Sequence, residues 1–479
     1  MPRRLALILF LFVLNPGVGL GQLDRYELGR RLKQFESQWE KTSAKEERSR
    51  ALRLLPAATR QFLTWQNAAA ARTLDEATWA LISATPPSIA QQWLASLVAM
   101  PERRIVDSKH VELLVELRQF YSVPAPSDIS GTVNWYLESE KDSAVFYRGT
   151  ARLDKLPTRV SFTLTSMRPL PEGDHRLRMV IAVGNESTTI VQTLSVVHDL
   201  NPRLQRLEAV GMGESSRLEW ATFVSHRERL RALRDGEVLE TDTPAARLFR
   251  EAEAFAFSSD QRFFTTTRPG DFWLTVPTAG GKQRTACRLF VPGGLNPEKP
   301  VPIVVALHGV GGSENLFFEG YGAGCVVAEA KKRGWFVLAP RGGLGILTGP
   351  PPILEIMEQL TERYPIDRGK IVLVGHSLGA AQVVDLVQKG PENYAAAAVL
   401  GGGGRVRTVE AFRRVPTLIA VGSADFAGNA AKKLYRDLSS SSGVPVEYRE
   451  YPEIEHLVIV RAAVSDVFNH YDNLMTRKR

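Results

Sequence analysis

Read for hydrophobic spacing alone, the chain changes character twice. From about residue 23 to 121, apolar side chains return at mixed three- and four-residue intervals among charges. Tyr26, Leu28, Leu32, Phe35 and Trp39 form one such run, and Leu52, Leu55, Phe62 and Trp65 form the next. That period predicts amphipathic helices. Apolar stretches at 77–82, 89–98 and 111–120 extend the pattern, and Pro56, Pro86, Pro87 and Pro101 mark where helices stop or begin. The expectation is a helical domain over residues 22–123, a bundle of four or five helices. Its tryptophans, Trp39, Trp65, Trp79 and Trp93, are expected in the core.

Past Pro124 and Pro126 the period drops to two. Alternating segments rich in β-branched and aromatic residues lie at 133–137, 145–150, 160–165, 177–183 and 189–196, separated by turn residues such as Gly173-Asp174 and Gly184-Asn185. They predict a small β-rich domain over 127–224, with Trp135, Tyr136 and Tyr147 in its sheet. A connector, 225–267, carries charged helical stretches at 225–234 and 245–257. From 268 to 479 the pattern becomes strand–helix–strand. Val-, Ile- and Leu-rich runs fall at 286–291, 302–307, 336–340, 370–374, 395–400, 417–421 and 444–451, with helical stretches between most of them. Continuous apolar strands alternating with helices predict a mostly parallel, doubly wound sheet covered on both faces.

Composition adds constraints. The chain has 479 residues, 44% hydrophobic and 23% charged, which excludes a largely disordered protein. Its 60 basic and 52 acidic side chains leave a net charge of +8, which raises nucleic acid as a partner. The excess is not concentrated in the folded part. Residues 22–267 carry 33 basic against 32 acidic side chains, while Arg3, Arg4 and the tail Arg477-Lys478-Arg479 hold much of the remainder. No nucleic-acid partner is expected. Arg3-Arg4, an apolar run over 5–14, Asn15-Pro16-Gly17 and Gly19-Leu20-Gly21 have the order of a secretory signal peptide, 1–21. The protein is therefore expected to be exported, periplasmic or extracellular, with no membrane span after signal cleavage. Two cysteines, Cys287 and Cys325, exclude a disulfide framework, although an exported protein could pair them. No Cys/His spacing suggests a metal site.

The chemistry gathers in the last segment. The strand Ile371-Val372-Leu373-Val374 runs into Gly375-His376-Ser377-Leu378-Gly379 and then a helical stretch. A serine on a sharp strand-to-helix turn exposes its hydroxyl, and the crowding there requires glycine two positions to either side. Such a serine needs a base, and the base an orienting carboxylate. His456 follows a strand after a short loop, at the sheet edge where the serine lies. His470 sits inside an amphipathic run and is expected on a helix surface. The strand over 417–421 runs into a loop that presents Asp425 at the same edge, whereas Asp385 and Asp437 lie within helical stretches. Glu453 and Glu455 flank the histidine loop. A Gly-rich loop, His308-Gly309-Val310-Gly311-Gly312, follows another strand and suits an oxyanion hole. The N–H groups of Val310 and Leu378 are the expected donors, with Gly311 the alternative to Val310. His308 is expected to be a structural hydrogen-bonder. Phe317, Phe318 and Tyr321 are candidates for a substrate pocket.

With these residues in view, the segment from Phe272 to Leu474 resembles the α/β-hydrolases, and is most similar to secreted feruloyl esterases and polyhydroxybutyrate depolymerases. The matching motifs are the loop from Leu307 to Ser313, Arg363-Tyr364-Pro365-Ile366-Asp367, the Gly375–Gly379 elbow, and the Asp425 and His456 loops. The resemblance implies a C-terminal α/β-hydrolase domain that hydrolyses esters through an acyl-serine, with no metal or organic cofactor. Ala380-Ala381 stands where the family often has Gly-Gly, and residues 340–352 lack the acidic or aromatic side chains often found there. Only some 16 residues separate the strands ending near 400 and starting at 417, where lid domains are commonly inserted in this fold. A large cap is therefore not expected at that point, any cover having to come from residues 314–324, from 342–352 or from the N-terminal domains, and an open site would suit an acylated polysaccharide or polyester. A prolyl-oligopeptidase-type peptidase shares the triad order but would bring propeller repeats that this chain lacks. A non-catalytic binding protein with a vestigial hydrolase fold is a further alternative.

Overall fold

The computed structural model describes residues 21–475 except 111, 128, 165–169, 212–216, 258–261 and 343–348. Nearly all of the expected signal peptide, the basic tail and part of the 340–352 loop therefore lie outside the described residues. The described chain begins with helices α1 (Gln22–Lys41), α2 (Lys45–Leu52), α3 (Leu55–Leu63), α4 (Asn67–Ala80) and α5 (Ile89–Ala95). Ser88 and Gln91 close a reciprocal capping box at the start of α5, satisfying backbone N–H groups that a helix end leaves unpaired.

The helical pattern ends earlier than its spacing predicts. Strands β1 (Leu97–Pro101), β2 (Ile105–Asp107) and β3 (Glu112–Gln119) occupy the stretch expected to carry the last helices. In β3 the buried side chains are Leu113, Val115 and Leu117, a period of two that its leucine content hides. β3 pairs antiparallel with β1 and with β6 (Thr158–Thr163). A second sheet runs β2-β8-β7-β4-β5, with β4 (Gly131–Ser139), β5 (Val145–Leu153), β7 (Gly173–Val183) and β8 (Glu186–Val197). β7 and β8 turn at Gly184, whose φ of 58° suits a residue without a Cβ. Helices and strands share one core: Phe35, Leu55 and Leu74 pack in the same cluster as Val115, Trp135 and Phe162. Trp39 and Trp93 are in that cluster as expected, but Trp79 is half-buried and Trp65 is exposed. Trp135 is buried and stacks on Phe162, while Tyr136 and Tyr147 are half-buried.

Helices α6 (Leu200–Glu208), α7 (Leu218–Arg234) and α8 (Ala245–Phe257) lead to the last unit. Its eight strands are β9 (Gly270–Thr278), β10 (Gln283–Val291), β11 (Val301–Leu307), β12 (Phe336–Pro340), β13 (Ile366–His376), β14 (Ala396–Leu400), β15 (Thr417–Gly422) and β16 (Val446–Tyr451). They lie in the order β16-β15-β14-β13-β11-β12-β10-β9. β9 and β10 are antiparallel to their neighbours and the rest are parallel. Alternate residues of each central strand face opposite cores. Val305, Leu373, Val399 and Ile419 meet α10 (Ile353–Thr361), α11 (Leu378–Lys389) and α13 (Gly428–Ser439), with α12 (Glu410–Arg414) beside them. Val304, Val372, Ala398 and Leu418 meet α9 (Cys325–Arg333) and α14 (Ile459–Met475).

This layering separates the cysteines. Cys287 lies in the first core and Cys325 in the second; both are buried and unpaired, and the sheet stands between them. It also corrects the reading of His470, which is buried rather than on the surface. Its Nε2–H donates to the Pro416 carbonyl at 3.3 Å.

Candidate active site

β13 delivers Ser377 into a turn with φ 57° and ψ −114°, a conformation that costs a non-glycine residue ~1–3 kcal/mol and that the surroundings must enforce. Its N–H donates to the Leu400 carbonyl at 3.0 Å, holding the turn to the end of β14. The flanking glycines follow from contact. A Cβ on Gly375 would come within 2.2 Å of the Gly379 carbonyl oxygen, and one on Gly379 within 1.9 Å of the Leu307 carbonyl oxygen. The serine stands at the head of α11, where first-turn N–H groups have no partner inside the helix.

His456 and Asp425 come together from the loops after β16 and β15. The His456 Nδ1–H donates to Asp425 Oδ1 at 2.9 Å, which leaves Nε2 for a substrate-side proton. The same Oδ1 accepts the Ala427 N–H at 2.8 Å. Both partners are buried. Ser377 and His456 line one cavity of about 210 Å³, together with Gly309, Val310, Gly311 and Gly312. Leu378 is the first residue of α11, directly after the serine. Thus the structure gathers Ser377, Asp425, His456, Val310 and Gly311 at the C-terminal edge of the sheet, where ligands bind in open α/β folds.

Two further residues tie these loops together. His376 Nε2 lies 3.0 Å from the His456 carbonyl, which can only accept, so the proton is on Nε2. Nδ1 must then accept, and it takes the Tyr321 hydroxyl proton at 2.9 Å. The Tyr321 oxygen in turn accepts the Gly309 N–H at 3.2 Å. Burial holds the His376 imidazole well below the ordinary histidine range, with His456 adding to the effect. The glycine loop, the serine turn and the histidine loop are therefore joined by one buried relay. In the sequence His376 stands only as the residue before the serine. Its only local signal was its place inside the serine motif.

Tyr321 thus serves the site by holding backbone, although it also lines the cavity. Phe317 and Phe318, expected in a substrate pocket, do not line that cavity. Phe317 is fully buried in the core beneath α9, and Phe318 covers the Arg288 guanidinium at 4.7 Å. Their apolar character is spent on packing. His308 keeps the structural role expected of it: its Nδ1–H donates to the Gly309 carbonyl at 2.8 Å, and its Nε2 accepts the Gly342 N–H at 3.0 Å.

Of the three expected sources of cover, the N-terminal helices line the site, together with residues of the 314–324 loop. Between β14 and β15 only α12 intervenes, so no cap is inserted there. Instead α1, α3 and α4 roof the cavity with Leu28, Leu32, Phe62 and Leu74. The histidine loop is built into the same layer. Thr59 donates to Glu455 at 3.1 Å, Ser49 to Glu453 at 3.2 Å, and Val458 belongs to the N-terminal core. Arg461 pairs with Glu40 of α1. Nothing in local spacing marks these contacts, because each joins residues about 400 positions apart.

Among the described residues no group of three or more His, Cys, Asp or Glu is placed to hold a metal ion, and no helix is long and apolar enough to cross a membrane.

The strand order and the strained serine turn define an α/β-hydrolase fold for the C-terminal unit. Solved structures similar to the chain include esterases and related hydrolases. A feruloyl esterase module from Clostridium thermocellum, complexed with sinapinate, is 15% identical, with a TM-score of 0.39, 45% of this chain and 94% of the module covered. A thermostable esterase is 15% identical, with a TM-score of 0.40, 80% of this chain and 100% of that one covered. An S-formylglutathione hydrolase from Staphylococcus aureus is 14% identical, with a TM-score of 0.35, 44% and 100% covered. At such scores the fold assignment rests on topology and not on the likeness. No family profile matches the chain, and no curated protein matches it by sequence.

Proposed function

We propose that the protein is an exported serine carboxylic-ester hydrolase acting through an acyl-serine. The observation that carries this reading is the 2.9 Å bond from His456 to Asp425, with His456 and Ser377 facing one cavity. Ser377 Oγ attacks the ester carbonyl carbon while His456 Nε2 takes its proton. Asp425 keeps the imidazole in the tautomer that can accept and stabilises the imidazolium that results. The N–H groups of Val310 and Leu378 stabilise the tetrahedral oxyanion, each worth ~10²–10³ in turnover. His456 then protonates the departing alcohol, and water repeats the sequence on the acyl-enzyme to release the acid. Export is carried by the charge–apolar–small pattern of residues 1–21.

The test is covalent labelling of the purified protein by a small fluorophosphonate, alongside hydrolysis of aryl esters and peptide amides. The expected result is stoichiometric labelling abolished by Ser377→Ala, with esters turned over and amides not. An unlabelled wild-type protein overturns the reading. Faster amide than ester turnover replaces it with a peptidase.

A further inference from the structure

The cavity above Ser377 has an apolar roof made by a part of the chain that precedes the hydrolase fold. Leu28 and Leu32 come from α1 and Phe62 from α3. Phe62 rests on the glycine loop so closely that a Cβ added to Gly311 would lie 2.8 Å from its ring. Leu32 approaches Gly320, another residue of the lining, where an added Cβ would lie 3.7 Å from it. Two polar side chains of the wall are paired, Arg25 with Glu240 at 3.6 Å and Tyr26 with Asp242 at 3.0 Å, while Lys33 of α1 lies exposed at its edge. What Leu28, Leu32 and Phe62 offer a ligand above the serine is apolar contact.

Two properties follow from this construction. First, the roof is anchored. The Thr59–Glu455 and Ser49–Glu453 hydrogen bonds and the burial of Val458 in the N-terminal core hold it against the histidine loop. Secondly, the space is small. A cavity of about 210 Å³ is below the ~300–1,000 Å³ typical of sites for drug-sized ligands.

We propose that α1 and α3 form an acyl-binding subsite that commits the enzyme to small monomeric esters with an apolar acyl group and turns away polymeric esters. This rests on the reading of Ser377 as the nucleophile. An acyl chain entering the subsite leaves water methylene by methylene. Each one buried raises kcat/KM by ~fourfold, the equivalent of ~0.8 kcal/mol, until the cavity is full. A polymer reaches the half-buried serine only past the helical layer that lines this cavity, which leaves little room to lay a chain across it.

The experiment measures kcat/KM of the full chain on p-nitrophenyl esters from acetate to decanoate, and on acetylated xylan and a polyhydroxybutyrate film. Wild type is compared with Phe62→Ala and Leu32→Trp, and every protein is labelled with a small fluorophosphonate. The expected wild-type profile rises with acyl length, peaks, and falls, with polymer turnover at least a hundredfold lower. Phe62→Ala moves the peak to longer chains, and Leu32→Trp moves it to acetate, each changing the ratio of long to short esters at least tenfold. Leu32→Trp fills space rather than opening it, so it carries the test if the alanine variant unfolds. An unchanged profile in a labelled variant, or polymer turnover equal to that of the best small ester, overturns the subsite while leaving the serine in place. Absence of labelling in the wild type removes the underlying reading instead.

Discussion

The hydroxyl of Thr59 donates to Glu455 Oε1 across 3.1 Å, joining α3 to the residue immediately before His456. The other carboxylate oxygen of Glu455 accepts the Leu457 N–H at 2.8 Å, so this side chain brackets the histidine from both sides. Burial pushes the Glu455 carboxyl above the usual range, so the bonds it receives are what keep it in place. Removing one leaves a buried oxygen unpaired, at ~1–3 kcal/mol.

Thr59→Val keeps the shape and deletes the donor. Its expected effect is a fall in kcat of about tenfold with KM nearly unchanged, and a lower Tm. Thr59→Ser restores both. Steady-state kinetics on one aryl ester checks the split. A loss of stability without loss of kcat would show that the contact holds the helix and not the histidine.

Tyr321→Phe removes the centre of the relay. The Gly309 N–H and His376 Nδ1 both lose their partner inside a buried cluster. Both loops that meet the substrate then lose a support, so kcat is expected to fall ~10–100-fold, and more than KM changes. Stability drops as well. A His376→Asn variant, whose side chain can still donate to the His456 carbonyl, is expected to keep more activity than His376→Ala.

Glu36 sets a pH dependence of stability. It is fully buried on α1 against the turn at Gly322, with Glu40, Arg461 and Cys325 as its ionisable neighbours, and neither oxygen makes a well-formed hydrogen bond. Burial raises its pKa from the usual 4.5 to about 8. Between those values the folded protein holds a proton that the unfolded chain has released. Stability from this group is therefore complete below 4.5, falls by at most ~1.4 kcal/mol per pH unit as pH rises towards 8, and is flat beyond. Glu36→Gln mimics the protonated form. Urea unfolding from pH 5 to 9 is expected to show a decline in the wild type that the variant lacks.

The parts of this protein that could be read along the chain are those whose physics is local. Gly375 and Gly379 are required by contacts within one turn and the adjoining strand end, so the serine motif was legible. Asp425 and His456 were legible because each follows a strand, and strand ends of a parallel sheet share an edge. The seven expected strands of the last unit all form, the central ones being legible because a strand buried on both faces is apolar throughout. β3 was misread because Leu113, Leu114, Val115 and Leu117 satisfy a helical period as well as a strand period, and only pairing with β1 and β6 chooses between them.

What the sequence by itself determined was the hydrolase sheet, its serine turn and the order of its polar residues. Tertiary structure alone decided that the helices of residues 22–80 line the site and that His376 holds His456 from behind. The reason is distance along the chain. Thr59 and Glu455 are 396 positions apart, and nothing in the spacing of either segment records which apolar face the other will cover.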